Sequence, residues 1–421
     1  MPKTAHQAGG AMDPQEYFAD RKKTMAYLRE QKPENDVLTG HQFFSDKELE
    51  LKECQLWMKS LRKGAGPDSA AEQRAVGAVL GLAIGDALGA PLEFQPVNYD
   101  KTSVTGFEDT DVWDAPKFNQ FALKPGQWTD DTSMALCLAD SLIASRDTKT
   151  GFDPLDLRLR FVLWWKCGYN NAFGDDDSRG GRGSVGLGGN ISMSMREFQR
   201  DADIEFTQQG DHNTSGNGSL MRLAPCPVAF WRDPEQAMAV AAQQSYTTHR
   251  GTEAAEACRL LAFILCKALS APPLPPSSHT PAEGEEGQGR GAAVGAVLGE
   301  LSGFETEAAS VRRLAAAEQE APGECPAGPC ALEDRDWRWK QPRYRYAGGR
   351  ARAQPGYVGS YSMDALAMAL HCVWVTSSFR DAVLKAANLR GDADTVAAIT
   401  AQIAGAIYGV QGIPEEWVGA V

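Results

Sequence analysis

Hydrophobic residues recur at intervals of three and four positions along Ala-rich stretches of the chain, as in Met134, Leu138 and Leu142. This spacing places apolar side chains on one face of an α-helix. The alternation with period two that is typical of strands is scarce. The pattern predicts an all-α core of about ten or more helices over residues 71–421. The predicted helical windows are 71–90, 130–145, 236–270, 361–374, 379–388 and 394–409.

The segments outside these windows differ in composition. Residues 1–70 are charged, and the amphipathic pieces 16–31 and 46–62 predict a helical N-terminal extension that docks on the core or on a partner. Residues 271–295 are rich in Pro, Gly and Glu and predict a disordered insertion. Residues 319–356 predict a second, irregular insertion into the same large helical domain.

Charge and cysteine content narrow the functional class. With 42 basic and 55 acidic residues the formal net charge is −13, which disfavours nucleic-acid binding because no excess positive charge displaces phosphate counterions. The nine cysteines form no C-x-x-C pair, so reduced thiols in a cytoplasmic or nuclear protein are expected rather than zinc or disulfides. Residues 1–20 lack a signal-peptide core, and the apolar window 75–84 ends near Asp86, so we expect no membrane partner.

Two acidic clusters open two of the predicted helices. Either cluster alone is typical of helix capping and of acids that complement the helix dipole. If the two helices pack side by side, however, four carboxylates converge and require a cation. Oxygen ligands without nearby His or Cys favour Mg²⁺ first, then Mn²⁺ or Ca²⁺, and four carboxylates suit two ions. The clusters consist of Thr129, Asp130 and Asp131 and of Asp392, Asp394 and Thr395.

A Gly- and Ala-rich segment precedes the first cluster. Its Gly81, Gly85 and Gly89 are typical of tight helix packing, in which small residues allow close approach. Glu93 is harder to explain by packing, because it lies in an otherwise apolar stretch and a buried acid is costly unless it is paired. Glu93 is therefore a candidate third acidic contribution to the same site.

Two Gly-rich loops, 180–190 and 216–222, could present backbone amides to phosphate oxygens. A Gly-rich loop alone more often indicates a flexible linker. The second loop leads directly into an apolar run, which argues against a linker there. His249 precedes a long helix, and its spacing alone favours a capping or core histidine.

The stretch 336–346 interleaves cations and aromatic residues. Such a pattern could stack a base or contact a polyanionic chain or nucleic acid, but a solvated loop or edge hairpin anchored by aromatics is the more ordinary interpretation. Its position before residues 356–358 suggests that it rims a pocket. Replacement of Arg343 and Arg345 by Ala tests this hypothesis, since unchanged affinity for a modified protein would remove it.

Taken together, these segments resemble the ADP-ribosylglycohydrolase family, including the dinitrogenase-reductase-activating type and its animal relatives. The resemblance covers most of 71–421 and leaves out 1–70 and the two insertions. It is carried by GLAIGDALGAPLEF at 81–94, WTDDTSMALCLADSL at 128–142, GNGSLMRLAPCPV at 216–228, Thr248-His249, GYV at 356–358 and NLRGDADTVAAITAQIAGAIYG at 388–409.

The resemblance implies a compact multi-helix fold and an enzyme with two Mg²⁺ ions that releases ADP-ribose from ADP-ribosylated protein. The catalytic residues that the resemblance implies are Glu93, Asp131 and Asp394. Cleavage would pass through an oxocarbenium-like ribose, with the metals positioning or activating water. The implied metal ligands are Thr129, Asp130, Asp131, Asp392, Asp394 and Thr395. The implied ADP-ribose-binding residues are Gly186, Gly188, Asn190, Asn217, Gly218, Ser219 and His249.

One departure from the family pattern concerns specificity. Arginine-specific bacterial relatives carry an Asp within the Gly-rich segment, whereas 182–190 has no acid and Asp175, Asp176 and Asp177 precede it. The linkage, to arginine, serine or another acceptor, therefore stays open. Two other functions also stay open, namely a non-catalytic ADP-ribose-binding or structural member of the same fold and a hydrolase of a free ADP-ribose derivative.

Overall fold

The computed structural model describes a helical molecule, and among its described residues only isolated bridges, without a sheet, accompany the helices. The predicted all-α fold is confirmed. The described residues are 16–30, 69–109, 111–115, 117–174, 176–181, 183–211, 214–272, 291–301, 303–319 and 335–421. The helices are α1 (Glu16–Ala19), α2 (Arg21–Glu30), α3 (Ser69–Gly89), α4 (Asp111–Asp114), α5 (Asp130–Ser145), α6 (Pro154–Cys167), α7 (Gly189–Arg200), α8 (Pro225–Phe230), α9 (Pro234–Tyr246), α10 (Thr252–Leu269), α11 (Ala292–Leu298), α12 (Ala309–Ala316), α13 (Gly348–Ala353), α14 (Ser362–Trp374), α15 (Phe379–Asn388), α16 (Ala393–Tyr408) and α17 (Glu415–Val418).

An antiparallel pair, α3 and α16, forms the centre of the core, and every residue of α16 is buried. A methyl group at Gly85 would overlap the carbonyl oxygen of Ala397, and one at Gly89 would overlap that of Ala393. Gly81 meets the backbone of α16 in the same way. The two backbones therefore touch directly, as the glycine spacing predicts.

The apolar character of α3 follows from this packing. By length and composition alone, the stretch Ala70–Leu92 could cross a membrane, but 78% of its apolar window is buried inside the molecule. A core helix satisfies the same criteria.

Most predicted windows correspond to single helices, and α5 and α15 have the predicted bounds. The window 236–270 is instead two helices, α9 and α10. Between them the chain turns: the His249 N–H donates to Ser245 O at 2.8 Å, and the Gly251 N–H donates to Thr214 O at 3.0 Å. This turn buries Thr248 and His249 beneath a Gly-rich loop.

The described part of the N-terminal extension docks on the core. The Arg21 side chain donates to Ala202 O at 2.8 Å, and the Arg160 guanidinium lies 4.6 Å from the ring centroid of Phe18. Residues 16–30 thus behave as the amphipathic pattern predicts. The second predicted piece, 46–62, lies outside the described residues.

The two predicted insertions are described only in part, since 273–290 and 320–334 lie outside the described residues. α11 begins at Ala292, inside the first predicted insertion. In the second, Trp337 and Trp339 are buried, and the Trp339 indole donates to Leu314 O at 2.8 Å. The described end of that segment is therefore part of the core, because large aromatic side chains gain much from burial.

Candidate active site

Asp86, on α3, organises the start of α5 from 43 residues away in the sequence. Its fully buried carboxylate accepts the backbone N–H groups of Thr129 and Thr132 at 3.0 and 2.9 Å, and their hydroxyls at 2.8 and 2.7 Å. Asp86 therefore satisfies the Thr132 amide in the first turn of α5, which a side chain at the N-cap would normally satisfy.

Sequence reasoning missed Asp86 as a site residue. The available signal was a carboxylate in the middle of an apolar Gly/Ala run, which is costly without several hydrogen bonds.

The two acidic clusters face each other across the α5–α16 contact. Thr129 Oγ1 lies 3.3 Å from Asp394 Oδ2, and Thr395 Oγ1 donates to Asp131 Oδ2 at 3.4 Å. One carboxylate oxygen from each of Asp86, Asp131 and Asp394 falls within a group whose members lie within 4.8 Å of one another. Two of the four carboxylates that were predicted to converge, Asp131 and Asp394, thus meet here, together with Asp86.

Glu93 reaches the same site from the loop after α3. The next residue, Phe94, has a left-handed backbone with φ 62°, and its N–H donates to Gly391 O at 2.9 Å. This link joins the Glu93 loop to the turn before α16. As a result, oxygens of Glu93, Asp392 and Asp394 also lie within 4.8 Å of one another.

The electrostatics of this cluster favour a bound cation. Burial raises the pKa of Glu93, Asp131 and Asp394 well above the usual range, and the neighbouring carboxylates raise these pKa values further. Asp131 Oδ1 and Glu93 Oε2 are buried and accept no hydrogen bond from any of the described residues. Unpaired buried oxygens on like-charged groups are costly unless a cation or proton neutralises them. The all-oxygen donor set therefore fits a hard metal ion.

A cavity of about 880 Å³ opens above the acids. At Gly186, with φ 86°, a Cβ would overlap the carboxylate of Asp130, so only glycine lets this loop lie against the acid. The hydroxyl of Ser219 points elsewhere, since it accepts the Ser245 hydroxyl at 2.8 Å beneath the loop. Of the predicted residues, the cavity is lined by Glu93, Asp130, Gly186, Gly188, Asn190, Asn217, Gly218, His249, Asp392, Asp394 and Thr395.

His249 and Asn217 support this lining. The His249 ring is buried under Gly216 and Gly218, with Nδ1 2.8 Å from the Thr248 hydroxyl. Burial lowers the pKa of His249 to about 3, so the ring is neutral at pH 7. The Asn217 amide donates to Asp392 Oδ2 at 2.8 Å, which ties the Gly-rich loop to the acidic cluster.

An aromatic rim was missed by sequence reasoning. Phe94, Phe121, Trp165 and Tyr357 line the cavity, and the Phe94 ring centroid lies 5.7 Å from that of Tyr357. Tyr357 is 61% exposed, a large accessible fraction for an aromatic side chain. These residues come from four separate segments, and although Phe94 and Tyr357 lie in the motifs at 81–94 and 356–358, no local pattern shows that the four rings meet.

Asp176 and the stretch 336–346, both considered from the sequence, lie outside the acidic cavity. Asp176 accepts hydrogen bonds from Lys124 and Gln127 at 2.7 and 2.8 Å and does not line the cavity, so it does not replace the acid that the Gly-rich segment lacks. The stretch 336–346 does not rim the acidic cavity in the described structure. It packs against α14 instead, where the Trp339 carbonyl oxygen lies 2.9 Å from His371 Nδ1.

The chain is similar to known ADP-ribosylglycohydrolases in sequence and in fold. The sequence model of the ADP-ribosylglycohydrolase family matches residues 67–421. The ADP-ribosylarginine hydrolase Tri1 of Pseudomonas putida (strain GB-1) is 33% identical over 87% of this chain and 78% of that protein. The ADP-ribosyl-[dinitrogen reductase] glycohydrolase of Rhodospirillum rubrum is 27% identical over 82% of this chain and 89% of that protein. A solved ADP-ribosylglycohydrolase-related protein complex superposes with a TM-score of 0.56 and 28% identity, over 83% of this chain and 93% of that one.

Proposed function

Because this chain belongs to the ADP-ribosylglycohydrolase family and is therefore a glycohydrolase, we propose that it hydrolyses the bond between ADP-ribose and an arginine side chain of a modified protein. The observation that carries the proposal is the cluster of buried carboxylates at the base of a cavity of about 880 Å³. The arginine linkage is favoured by similarity to an ADP-ribosylarginine hydrolase. A cationic guanidinium also suits a cavity lined by acids.

The cavity offers separate features for the parts of ADP-ribose. Backbone amides of the Gly-rich loops 183–190 and 216–218 would hold the diphosphate without bringing another side-chain charge near the acids. The aromatic rim, with Phe94 and Tyr357 in contact, provides ring faces for the adenine. The ribose that carries the linkage would then lie over the carboxylates.

The metal ions belong to the proposal as two Mg²⁺, with Mn²⁺ as an alternative. The residues that would hold them are Thr129, Asp130, Asp131, Asp392, Asp394 and Thr395, with Asp86 close enough to contribute. Bound ions would supply positive charge that orients the ribose hydroxyls and lowers the pKa of a bound water.

The bond changes are those of glycoside hydrolysis. The bond from the ribose anomeric carbon to the guanidinium nitrogen breaks through an oxocarbenium-like centre, water oxygen bonds to that carbon, and a proton goes to the leaving nitrogen. Glu93 is the residue that we assign to proton transfer, because its Oε2 is buried at the site and has no hydrogen-bond partner among the residues that the structure describes. Asp394 lies beside both Glu93 and Asp131, because its carboxylate belongs to both groups of converging oxygens.

The test is release of ADP-ribose from arginine-modified and serine-modified proteins, with Mg²⁺ and with EDTA. We expect Mg²⁺-dependent release from the arginine-modified protein. The matched control variant is Asp233→Asn, an isosteric change at an exposed acid that caps α9 through the Gln236 amide and lies outside the cavity. This variant should retain full activity.

Other outcomes would support the remaining functions. Release from the serine-modified protein alone would reassign the linkage. Mg²⁺-dependent binding of ADP-ribose without release from either protein would indicate a non-catalytic member, and turnover of free ADP-ribose derivatives alone would indicate a small-molecule hydrolase.

We also propose that the protein acts in the cytoplasm or nucleus. The six described cysteines are free thiols and all are buried, which suits a reducing compartment. Fractionation of cells that express the native protein checks this, and recovery in a secreted fraction would contradict it.

A further inference from the structure

A second cavity, of about 470 Å³, lies outside the acidic site. It is enclosed by the loop 98–102, the segment 342–345 and helices α14 and α15. Its size falls within the range of small-molecule sites. The proposed glycohydrolase reaction assigns no role to this cavity.

The rim of this second cavity carries four cations that make no salt bridge in the described part of the chain. They oppose two carboxylates, Asp100 and Asp381. The Asp381 carboxylate already accepts the Ser378 hydroxyl at 2.7 Å. In a chain of net charge −13, an unpaired cluster of positive charge around a concave surface favours an anionic ligand. The cations are Lys101, Arg343, Arg345 and Lys385.

The interior of the cavity is neutral and aromatic. Tyr99, Tyr344 and His371 line it, and the ring centroids of Tyr344 and His371 lie 5.6 Å apart. The guanidinium of Arg345 lies 4.4 Å from the Tyr99 ring centroid, so the cationic rim and the aromatic interior are continuous.

The protonation and tautomer of the His371 ring determine which ligand groups can lie against it. Its Nδ1 lies 2.9 Å from the Trp339 carbonyl oxygen, an acceptor, so the proton is on Nδ1 and Nε2 carries a lone pair. Burial lowers the pKa of His371 to about 4, which keeps the ring neutral at pH 7. A lone pair repels phosphate oxygens but accepts a hydrogen bond from an amino or hydroxyl group. The interior therefore suits a base or sugar, and the rim suits phosphate.

We propose that this second cavity binds a phosphorylated small molecule of the nucleotide class, with phosphates at the Lys101, Arg343 and Lys385 rim and the base or sugar against Tyr344 and His371. The proposal does not depend on the glycohydrolase activity. It also gives a function to the cation-rich stretch 336–346, which the acidic cavity leaves unused.

One histidine in each cavity allows the two sites to be observed separately. The protein contains six histidines, of which His249 lines the acidic cavity and His371 the second cavity. In full-length protein with ¹³C-labelled histidine, ADP is titrated while the ring signals are followed by NMR at pH 7. The variants His249→Gln and His371→Gln assign the two signals. We expect ADP to shift the His371 signal in a saturable way.

The variant Arg343→Ala/Lys385→Ala should weaken that shift, with the dissociation constant rising about tenfold or more, because each cation contributes a charge-assisted contact. The His249 signal should respond to ADP as in the wild type. The matched control, Lys149→Ala/Arg312→Ala, removes two exposed cations outside the second cavity and should leave the His371 titration unchanged.

Three results would overturn the proposal. The first is an ADP titration that moves His249 but not His371. The second is a His371 shift that survives unchanged in Arg343→Ala/Lys385→Ala. The third is an equal His371 shift with inorganic phosphate at the same concentration, which would show an anion site without selectivity for a nucleotide.

Discussion

The acidic cavity and the second cavity lie on two sides of the same stretch of chain. The charges that line the first are mainly negative, and those that line the second are mainly positive. Residues 388 and 389 line the second cavity, and Asp392 and Asp394, a few positions later, line the acidic one. The loop after Glu93 follows the same path, since the Asn98 N–H donates to Leu389 O at 2.9 Å.

The difference between the cavities is burial. Asp131 and Asp394 are almost completely buried, whereas Arg343 and Lys385 are exposed. Buried like charges cannot be neutralised by bulk water, so the folded acidic cavity requires protons or a cation within it. Exposed cations remain hydrated and cost little without a ligand. The acidic cavity therefore needs bound protons or a cation for the fold to be stable. The second cavity is stable without a ligand.

Removal of the Asp394 carboxylate should have the largest effect on turnover. Asp394→Asn should lower turnover about a hundredfold to a thousandfold, because Asp394 belongs to both groups of converging carboxylates. The measurement is single-turnover release of ADP-ribose at saturating Mg²⁺, with Asp233→Asn as the control. Wild-type activity in Asp394→Asn, with its circular dichroism spectrum unchanged, would contradict the assigned role of the acidic cavity.

Replacement of Glu93, on the loop after α3, should have the next largest effect on turnover. Glu93→Gln keeps the shape of the side chain but removes its proton-transfer capacity, so we expect kcat to fall about a hundredfold. Mg²⁺ binding should weaken less than in Asp394→Asn. An equal loss of Mg²⁺ affinity in both variants would make Glu93 a metal ligand rather than a proton donor.

Mg²⁺ should stabilise the protein more as pH rises. The folded-state pKa values of Glu93, Asp131 and Asp394 lie above their unfolded values, so in EDTA the folded state holds more protons and loses stability as pH rises above about 4. Metal binding replaces those protons. The difference in Tm between Mg²⁺ and EDTA should therefore increase from about pH 5 to about pH 8.

The same Tm measurements, made over a range of pH in Mg²⁺ and in EDTA, separate the contribution of the histidines from that of the acids. The depressed pKa values of His249 and His371 make stability fall as pH decreases below about 6.5, in EDTA and in Mg²⁺ alike, so this contribution largely cancels in the difference. A Tm difference that stays constant with pH, or decreases as pH rises, would show that Mg²⁺ does not replace protons on the buried acids.

Changes confined to the second cavity should have the smallest effect on catalysis. Arg343→Ala/Arg345→Ala should leave kcat/KM for the modified protein within about twofold, because neither side chain lines the acidic cavity. The same release assay measures it. A loss of about tenfold or more would restore the hypothesis that 336–346 contacts the modified protein.

The sequence predicted local structure better than tertiary roles. The bounds of α5 and α15 follow from their apolar spacing, and the glycines of α3 indicate its close contact with α16. Asp86 could not be placed, because the four groups that donate to its carboxylate belong to Thr129 and Thr132, beyond any local window. The aromatic rim was invisible for the same reason.

Some local signals had more than one physical interpretation. Thr129 and Asp392 stand at the positions of helix caps, yet neither side chain makes a capping hydrogen bond. The pattern of alternating cations and aromatics at 336–346 did not reveal that two tryptophans enter the core while the arginines stay at the surface. Burial distinguishes such cases, and it depends on the whole fold.

The contact between α3 and α16 also determines which parts of this enzyme are free to change during evolution. Asp86 and Asp394 sit on two helices whose backbones touch at Gly85 and Gly89, with no side chain between them to enlarge or shrink. Their spacing is thus independent of ordinary mutational drift in the core. New substrates must be accommodated by the surrounding loops, and comparison of homologous structures should show constant acid positions beneath variable cavity walls.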